Sequence, residues 1–137
     1  MTGSKSPSIS AGARARGEHS HEGGYGPIIE HLNRLKAQHL TMEFTAPEAG
    51  DMAVFRELRE DFEIGLGCVD VTPGRIDSAE TIASRVRQAL KHVAPERITL
   101  NPDCGFAPGS GAVVSMDEAY RKLCNQAEAA RMLRKEV

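Results

Sequence analysis

The spacing of hydrophobic positions changes several times along this chain, and each change predicts a new element of secondary structure. Helical spacing, with apolar residues every three or four positions, occurs in four segments that begin at Pro27, Asp51, Asp77 and Ser115. Short apolar runs typical of buried strands occur in three segments, at residues 40–44, 62–71 and 97–102. The predicted order is therefore one helix followed by three strand–helix units.

Several predicted helices begin at side chains that can cap them. Asp77 and Ser115 are each followed three positions later by a glutamate, which is the arrangement of a capping box. Asp51 is expected to cap a shorter helix that carries Val54 and Phe55. The helix after Ser115 is predicted to bury one apolar face, made of Tyr120, Leu123, Ala127, Ala130 and Leu133.

The alternation of strands and helices predicts the architecture. It favours the α/β class, with a parallel sheet whose connections cross over in the right-handed sense. Three units are too few to close an eight-stranded barrel, so we expect a portion of a larger fold. Residues 1–24 are rich in Gly and Ser and are predicted to be flexible, whereas residues 25–137 are predicted to form the folded domain.

Chemically useful side chains lie at the end of each predicted strand. They are Glu43 at the end of the first strand, Asp70 at the end of the second, and Asn101, Asp103 and Cys104 at the end of the third. Parallel α/β folds bind ligands at the carboxyl ends of their strands, so these side chains are predicted to share one edge of the sheet. Each also has a plain structural interpretation, as a solvated carboxylate, a turn residue before a proline or a small packing thiol.

Composition argues against several classes of function. The formal net charge is −2 and aromatic residues make up 4%, which argues against nucleic-acid binding. No apolar run approaches the roughly 20 residues of a membrane-spanning helix. The three cysteines are odd in number and form no CxxC pair, which favours reduced thiols and a cytoplasmic location. Cys68 and Cys124 are expected to be packing residues.

A zinc site is one interpretation of these residues, because zinc accepts thiolate, carboxylate and imidazole ligands in a tetrahedron. Cys104 and Glu43 would supply the first two, and His19 and His21 are the obvious local source of nitrogen ligands. The alternative is that both histidines belong to a solvated tail. Position in the sequence leaves this choice open.

Three segments carry a resemblance to a known family: "LTMEFTAPEAGDM" (40–52), "IGLGCVDVTPGRIDSAETIASRV" (64–86) and "APERITLNPDCGF" (94–106). They resemble the C-terminal catalytic barrel of cobalamin-independent methionine synthases, and still more its shorter single-barrel relatives. The likeness extends from about Gly23 to Leu133, and its most specific motif is Asn-Pro-Asp-Cys-Gly after the third strand. It implies a (β/α)8 barrel, of which this chain holds the last three units and one preceding helix.

The resemblance also implies zinc-dependent methyl transfer to a thiol. In the family the metal is held by a His-x-Cys pair, a glutamate and a second cysteine. Glu43 matches the glutamate and Cys104 matches the second cysteine, whereas Ala13 and Ala15 stand at the His-x-Cys positions. The small-molecule thiol and the methyl donor are the partners that this chemistry implies.

Three interpretations of function follow. The first is a zinc-dependent methyltransferase of the methionine synthase type, or a fragment of one, with Asp70 and Asp103 at the substrate-binding edge. The second keeps the zinc–thiolate chemistry but opens an epoxide with a thiol cofactor, because Thr72 stands where methionine synthases carry a histidine thought to act in proton transfer. The third is a non-catalytic chain that associates with itself or with a separate N-terminal barrel half.

Overall fold

Three parallel strands form the centre of the structure, a computed structural model that describes residues 24–106 and 114–137. The strands lie side by side in chain order and are named β1 (His39–Glu43), β2 (Glu63–Val69) and β3 (Ile98–Pro102). Both pairings are parallel, and the sheet is open at its two outer strands. The predicted class, a partial α/β barrel, is confirmed.

Helical segments precede and connect the strands. The α-helices are α1 (Ile29–Asn33), α2 (Ala79–Leu90) and α3 (Met116–Leu133). Shorter 3-10 helices occupy Gly26–Ile28, Pro47–Ala49, Met52–Glu57 and Pro95–Arg97. Within the described part of the chain, no helix combines the length and apolar character needed to cross a bilayer.

The segment after Asp51 differs from the α-helix that its spacing predicts. Its six residues, Met52–Glu57, form a 3-10 helix. The Asp51 carboxylate caps it as expected by accepting from the Ala53 N–H at 2.8 Å. Val54 and Phe55 are buried in the core, so their packing is as predicted. The tighter i to i+3 bonding is seen where the Val54 N–H donates to the Asp51 carbonyl at 3.3 Å and the Leu58 N–H to the Phe55 carbonyl at 3.4 Å.

The two predicted capping boxes form only in part. Ser78 rather than Asp77 caps α2 through its hydroxyl oxygen, and Asp77 instead forms an ion pair with an arginine of α2. Ser115 caps α3 as predicted, since its hydroxyl accepts from the Glu118 N–H at 3.1 Å. The Glu118 carboxylate accepts from the Gly74 N–H, so this side chain joins α3 to the loop before α2.

The hydrophobic core lies between one face of the sheet and the helices. Alternate residues Leu40 and Met42 of β1 are buried in it, together with Ile64, Leu66 and Cys68 of β2. The residues of α2 buried in this core are Ile82, Ala83, Val86 and Ala89. These positions confirm the patterns from which β1, β2 and α2 were predicted, whereas β3 has no fully buried residue.

The opposite face of the sheet is polar and is shaped by glycines in β2. His39 of β1 and Thr99 of β3 meet across the middle strand, with 3.2 Å between His39 Nε2 and Thr99 Oγ1. A Cβ at Gly65 would lie 2.7 Å from the His39 ring and 2.4 Å from Asn101 Nδ2. The glycine therefore leaves room for side chains of the two outer strands to meet above β2.

The last helix buries only part of the face that its apolar spacing predicts. Leu133 of that face is buried, together with Lys122 and Ala129 from outside it. Tyr120 and Leu123 are 68% and 44% exposed, so the prediction that they are buried is wrong. An open groove of about 410 Å³ lies between this face, α2 and β3.

Candidate functional site

The side chains predicted to share an edge lie at or just beyond the strand ends, except Asn101, which lies within β3 with its amide beside Gly65. Glu43 is the last residue of β1, and Asp70 follows β2 directly. Asp103 and Cys104 follow β3, and the Asp103 N–H bonds to the Val69 carbonyl of β2 at 3.0 Å. We call this side of the sheet, where all three parallel strands end, the carboxyl edge.

Asp103 ties the outer strands together at the carboxyl edge. It is 2% exposed, and its carboxylate accepts from the Phe44 N–H at 3.2 Å and from the Thr45 hydroxyl. The bond crosses above Gly67, where a Cβ would lie only 2.5 Å from Asp103 Oδ1. Asp103 therefore fixes the end of β3 against the residues that follow Glu43.

Tyr25 holds the backbone of Glu43. Its hydroxyl accepts from the Glu43 N–H at 2.9 Å and lies 3.4 Å from the Glu43 carbonyl oxygen, to which it donates. Its ring packs against Phe44 with 5.3 Å between centroids. Burial raises the pKa of Tyr25 to about 12, so the phenol stays protonated at neutral pH. Sequence reasoning missed this residue, since it belongs to no motif and lies outside the predicted helix.

Asp70 adopts the turn role that a plain structural interpretation gives it. It is 3% exposed, and its Oδ1 accepts from the Thr72 N–H at 2.8 Å. Its Oδ2 lies 3.5 Å from a nitrogen of Arg75, whose side chain is largely exposed. Both carboxylate oxygens thus help to shape the loop that leaves the carboxyl edge.

The three thiols differ sharply in accessibility. Cys68 is buried in the core as predicted, and burial raises its pKa to about 12. Cys124 is exposed on α3, so the prediction that it packs inside is wrong. Cys104 is half-exposed, and its thiol contacts the Gly105 carbonyl at 3.5 Å. Of the three, Cys104 is the thiol at the carboxyl edge.

Two of the four candidate zinc ligands, Glu43 and Cys104, belong to the residues that the structure describes. Glu43 and Cys104 come from the ends of the two outer strands, and the Glu43 Oε1 atom is shielded from solvent. His19 and His21 lie outside the described residues. Among residues 24–106 and 114–137, no three His, Cys, Asp or Glu side chains are grouped to hold a metal ion. A catalytic zinc takes three protein ligands, so these residues fit the donor chemistry but supply only two of its ligands.

The fold and this edge together define a class of protein. An open parallel sheet with acids and a thiol at its carboxyl edge fits part of a (β/α) barrel, because such barrels hold their active sites at that edge. The chain belongs to the family described as the catalytic domain of cobalamin-independent synthase, whose model matches residues 17–132. The resemblance seen in the sequence is confirmed.

Individual relatives agree with this family. The methionine synthase of Saccharolobus islandicus (strain L.S.2.15 / Lassen #1) is 30% identical over 115 residues, which are 84% of this chain and 33% of that protein. The methionine synthase of Pyrococcus horikoshii is 30% identical over 113 residues, or 82% of this chain and 32% of that protein. This chain therefore spans about a third of the length of these relatives.

A solved structure shares the fold. The B12-independent methionine synthase from Shewanella sp. W3-18-1, in complex with selenomethionine, matches with a TM-score of 0.71 and 24% identity. The match covers 82% of this chain and 31% of that chain. The shared part is therefore a segment of a larger barrel, in line with the open sheet.

Proposed function

We propose that this chain contributes the carboxyl edge of a zinc-dependent methyltransferase, which moves a methyl group from a methyltetrahydrofolate-type donor to a thiol such as homocysteine. The observation that carries the proposal is the pair Glu43 and Cys104 at the ends of the two outer strands, in a chain of the cobalamin-independent synthase family. Methionine biosynthesis in the cytoplasm is the setting in which this transfer is expected.

The chemistry suits the residues present. When bound, zinc keeps an acceptor thiol deprotonated near neutral pH while leaving its sulfur nucleophilic. Cys104 offers a thiolate and Glu43 a carboxylate, both ligand types that zinc accepts, and His19 and His21 are proposed to complete the set. The transfer forms a carbon–sulfur bond and breaks the bond between the methyl carbon and the donor nitrogen. The proton lost by the thiol ends on that nitrogen.

The other residues of the carboxyl edge have supporting roles in this proposal. Tyr25 fixes the backbone of Glu43, and Asp103 fixes the end of β3 against β1. Asp70 and Asp103 are proposed to shape the pocket for the thiol and the methyl donor. Because these acids are buried and already hydrogen-bonded, they would act on substrates chiefly through the shape of the edge.

The remaining two thirds of the barrel are part of the same proposal. The relatives are about three times as long as the matched segment, and the sheet is open at both outer strands. We therefore expect methyl transfer to need the other strand–helix units, and association through the open strand edges when those units are absent. An isolated chain that is monomeric in solution and unfolds cooperatively on heating would contradict the expected association.

Zinc content of the purified chain tests the metal site. We expect about one zinc per chain, and at least about tenfold weaker zinc binding in Cys104→Ser and Glu43→Gln, because each change removes a ligand. Cys124→Ser is the matched control, since that thiol is exposed on α3 and is not a candidate ligand. The site is disproved if the folded chain binds no zinc, or if Cys104→Ser and Cys124→Ser bind it equally well.

Product analysis separates the chemical alternatives. The zinc-loaded chain, alone and mixed with the N-terminal two thirds of a relative, is given homocysteine and methyltetrahydrofolate. Methionine as the product supports the proposal. A thioether formed only from an epoxide and a thiol cofactor would instead support the second interpretation, and zinc binding without either product would support a non-catalytic chain.

A further inference from the structure

The loop from β2 to α2, residues 70–78, is held by buried and half-buried polar side chains of its neighbours. We call it the rim loop because it begins at the carboxyl edge. Its Thr72 carbonyl, Gly74 N–H and Asp77 carbonyl are all bonded to side chains of α3. Its position is therefore set by a helix that follows it by about 40 residues in the chain.

Lys122 is the centre of this arrangement. Its side chain is 0% exposed, and its ammonium donates to the Thr72 carbonyl at 2.8 Å. The same ammonium lies 3.0 Å from Glu118 Oε1, one helical turn earlier. A buried ammonium is strongly unfavourable unless it is paired and hydrogen-bonded, so this lysine requires both partners.

Glu118 joins the ion pair to a second point of the rim loop. Its Oε1 accepts from the Gly74 N–H at 2.8 Å as well as from Lys122. Burial, which raises its pKa, is outweighed by the hydrogen bonds from Lys122 and Gly74 and by the lysine charge, so the pKa of Glu118 lies below its usual value. Glu118 is therefore ionised at neutral pH and can accept from both donors.

Both backbone groups of Thr72 are consequently bonded to side chains. Asp70 accepts its N–H at 2.8 Å, and Lys122 donates to its carbonyl at 2.8 Å. The next turn of α3 adds Asn125, whose amide donates to the Asp77 carbonyl at 2.8 Å. Three side chains on one helix thus bind backbone groups spread along the whole rim loop.

We propose that Lys122 and Glu118 are positioning residues of the transferase site, which hold the rim loop in the one conformation that keeps Asp70 and Thr72 at the carboxyl edge. Elsewhere α3 packs through Ala129 and Leu133, and apolar residues in place of a buried ion pair would stabilise the fold about as well. The pair instead fixes geometry, through donors and acceptors of defined direction. The link to a reaction rests on the proposed function, whereas the positioning rests on these contacts.

The test uses three variants of the whole chain, loaded with zinc and combined with the rest of the barrel as above. Lys122→Met removes the ammonium at similar volume. Lys122→Met with Glu118→Gln leaves no unpaired charge and keeps an acceptor for the Gly74 N–H. Arg121→Met is the matched control, because Arg121 forms the exposed pair with Asp117, at 2.9 Å, on the same helix.

The readouts separate positioning from folding. In the double variant we expect the melting temperature to stay near that of the parent. We also expect amide hydrogen exchange at Thr72 and Gly74 to be about tenfold faster and KM for the thiol to rise about tenfold, with kcat changed less than about threefold. The single variant is expected to show the same exchange and also a lower melting temperature. Arg121→Met is expected to change none of these.

Two results would overturn the proposal. One is a double variant that melts normally and exchanges at the parent's rate at both amides. The other is faster exchange with an unchanged KM, which would make the pair structural only. If the parent transfers no methyl group at all, the proposed function fails, and the exchange rates alone still decide whether the pair positions the loop.

Discussion

Gly67 shows how the absence of a side chain shapes the carboxyl edge. A Cβ at this position would lie 2.5 Å from Asp103 Oδ1 and 2.7 Å from the Met42 carbonyl oxygen. The carboxylate could rotate away, but the carbonyl belongs to β1 and moves only with its strand. The glycine is thus required by close packing, since its backbone is not in the left-handed region.

Gly67→Ala is therefore expected to lower the free energy of unfolding by about 1–3 kcal/mol, through overpacking between β1 and β2. Urea denaturation of the chain measures the change. Gly26→Ala is the control, because nothing lies within 4 Å of a Cβ there, and its effect should stay within about 0.5 kcal/mol. Equal stability of the two variants would show that β1 can shift at no cost.

Among individual residues, the sequence predicts those at strand ends and misses those whose bonding partners are far away in the chain. Glu43 and Cys104 are predicted at the carboxyl edge because parallel strands bring their carboxyl ends to one side of the sheet. Lys122 was not, since a helical lysine is almost always exposed and nothing in its neighbours signals a buried carbonyl 50 residues away. Tyr25 was missed as well, because its hydroxyl bonds to the backbone of Glu43 and no pattern of side chains reveals such a bond.

Arg59 organises the connection between α1 and β1, at the opposite end of the sheet from the carboxyl edge. Its guanidinium donates to the carbonyls of Asn33 and Leu35, each at 3.0 Å, and to the Ala37 carbonyl at 2.8 Å. Its carbon Cζ lies 4.0 Å from the centre of the Phe62 ring. One planar group thus satisfies three backbone acceptors and stacks on an aromatic ring, which an ammonium cannot do.

Arg59→Lys is expected to lower the free energy of unfolding by about 1–3 kcal/mol although the charge is kept, because at least two carbonyls lose their donor. Thermal and urea unfolding provide the measurement. Arg56→Lys serves as the matched control, since that exposed arginine makes one 3.2 Å bond to the Lys91 carbonyl. A loss no larger than the control's would mean that water replaces the guanidinium freely.

Element types follow from the sequence more reliably than their surroundings do. The helices α2 and α3 were predicted from the spacing of their apolar residues, and the three strands from short apolar runs, because burial imposes both patterns. Periodicity states which residues share a face but not whether a neighbour covers it, so the exposure of Tyr120 and Leu123 could not be predicted. The Met52–Glu57 segment was misassigned because α and 3-10 bonding place its two buried residues alike.

In the molecule as a whole, a buried thiol, Cys68, and a partly buried phenol, Tyr25, are expected to make the free energy of unfolding fall at alkaline pH. Burial raises the pKa of Cys68 from 9.0 to about 12 and that of Tyr25 from 10.0 to about 12. A raised pKa means that the folded state holds its proton after the unfolded state has lost it. The stability from each group is complete below its unfolded pKa and is lost as pH rises toward 12.

We therefore expect the free energy of unfolding to decline above pH 9, by at most about 1.4 kcal/mol per pH unit for each group. Urea denaturation from pH 7 to 11 gives the profile. In Cys68→Ala the decline should begin near pH 10, where Tyr25 alone contributes, and in Tyr25→Phe it should begin near pH 9 but be shallower above pH 10. A flat profile in the parent would contradict the burial of both groups.

The glycines of β2 have a mechanical consequence. Because Gly65 and Gly67 carry no side chain, groups from the two outer parts of the sheet meet directly above β2, His39 with Thr99 and Asp103 with the Phe44 N–H. These bonds join β1 to β3 and the residues after it independently of the backbone bonds to β2. A change of curvature at either outer strand is therefore passed to the other, and we expect the carboxyl edge to move as one unit.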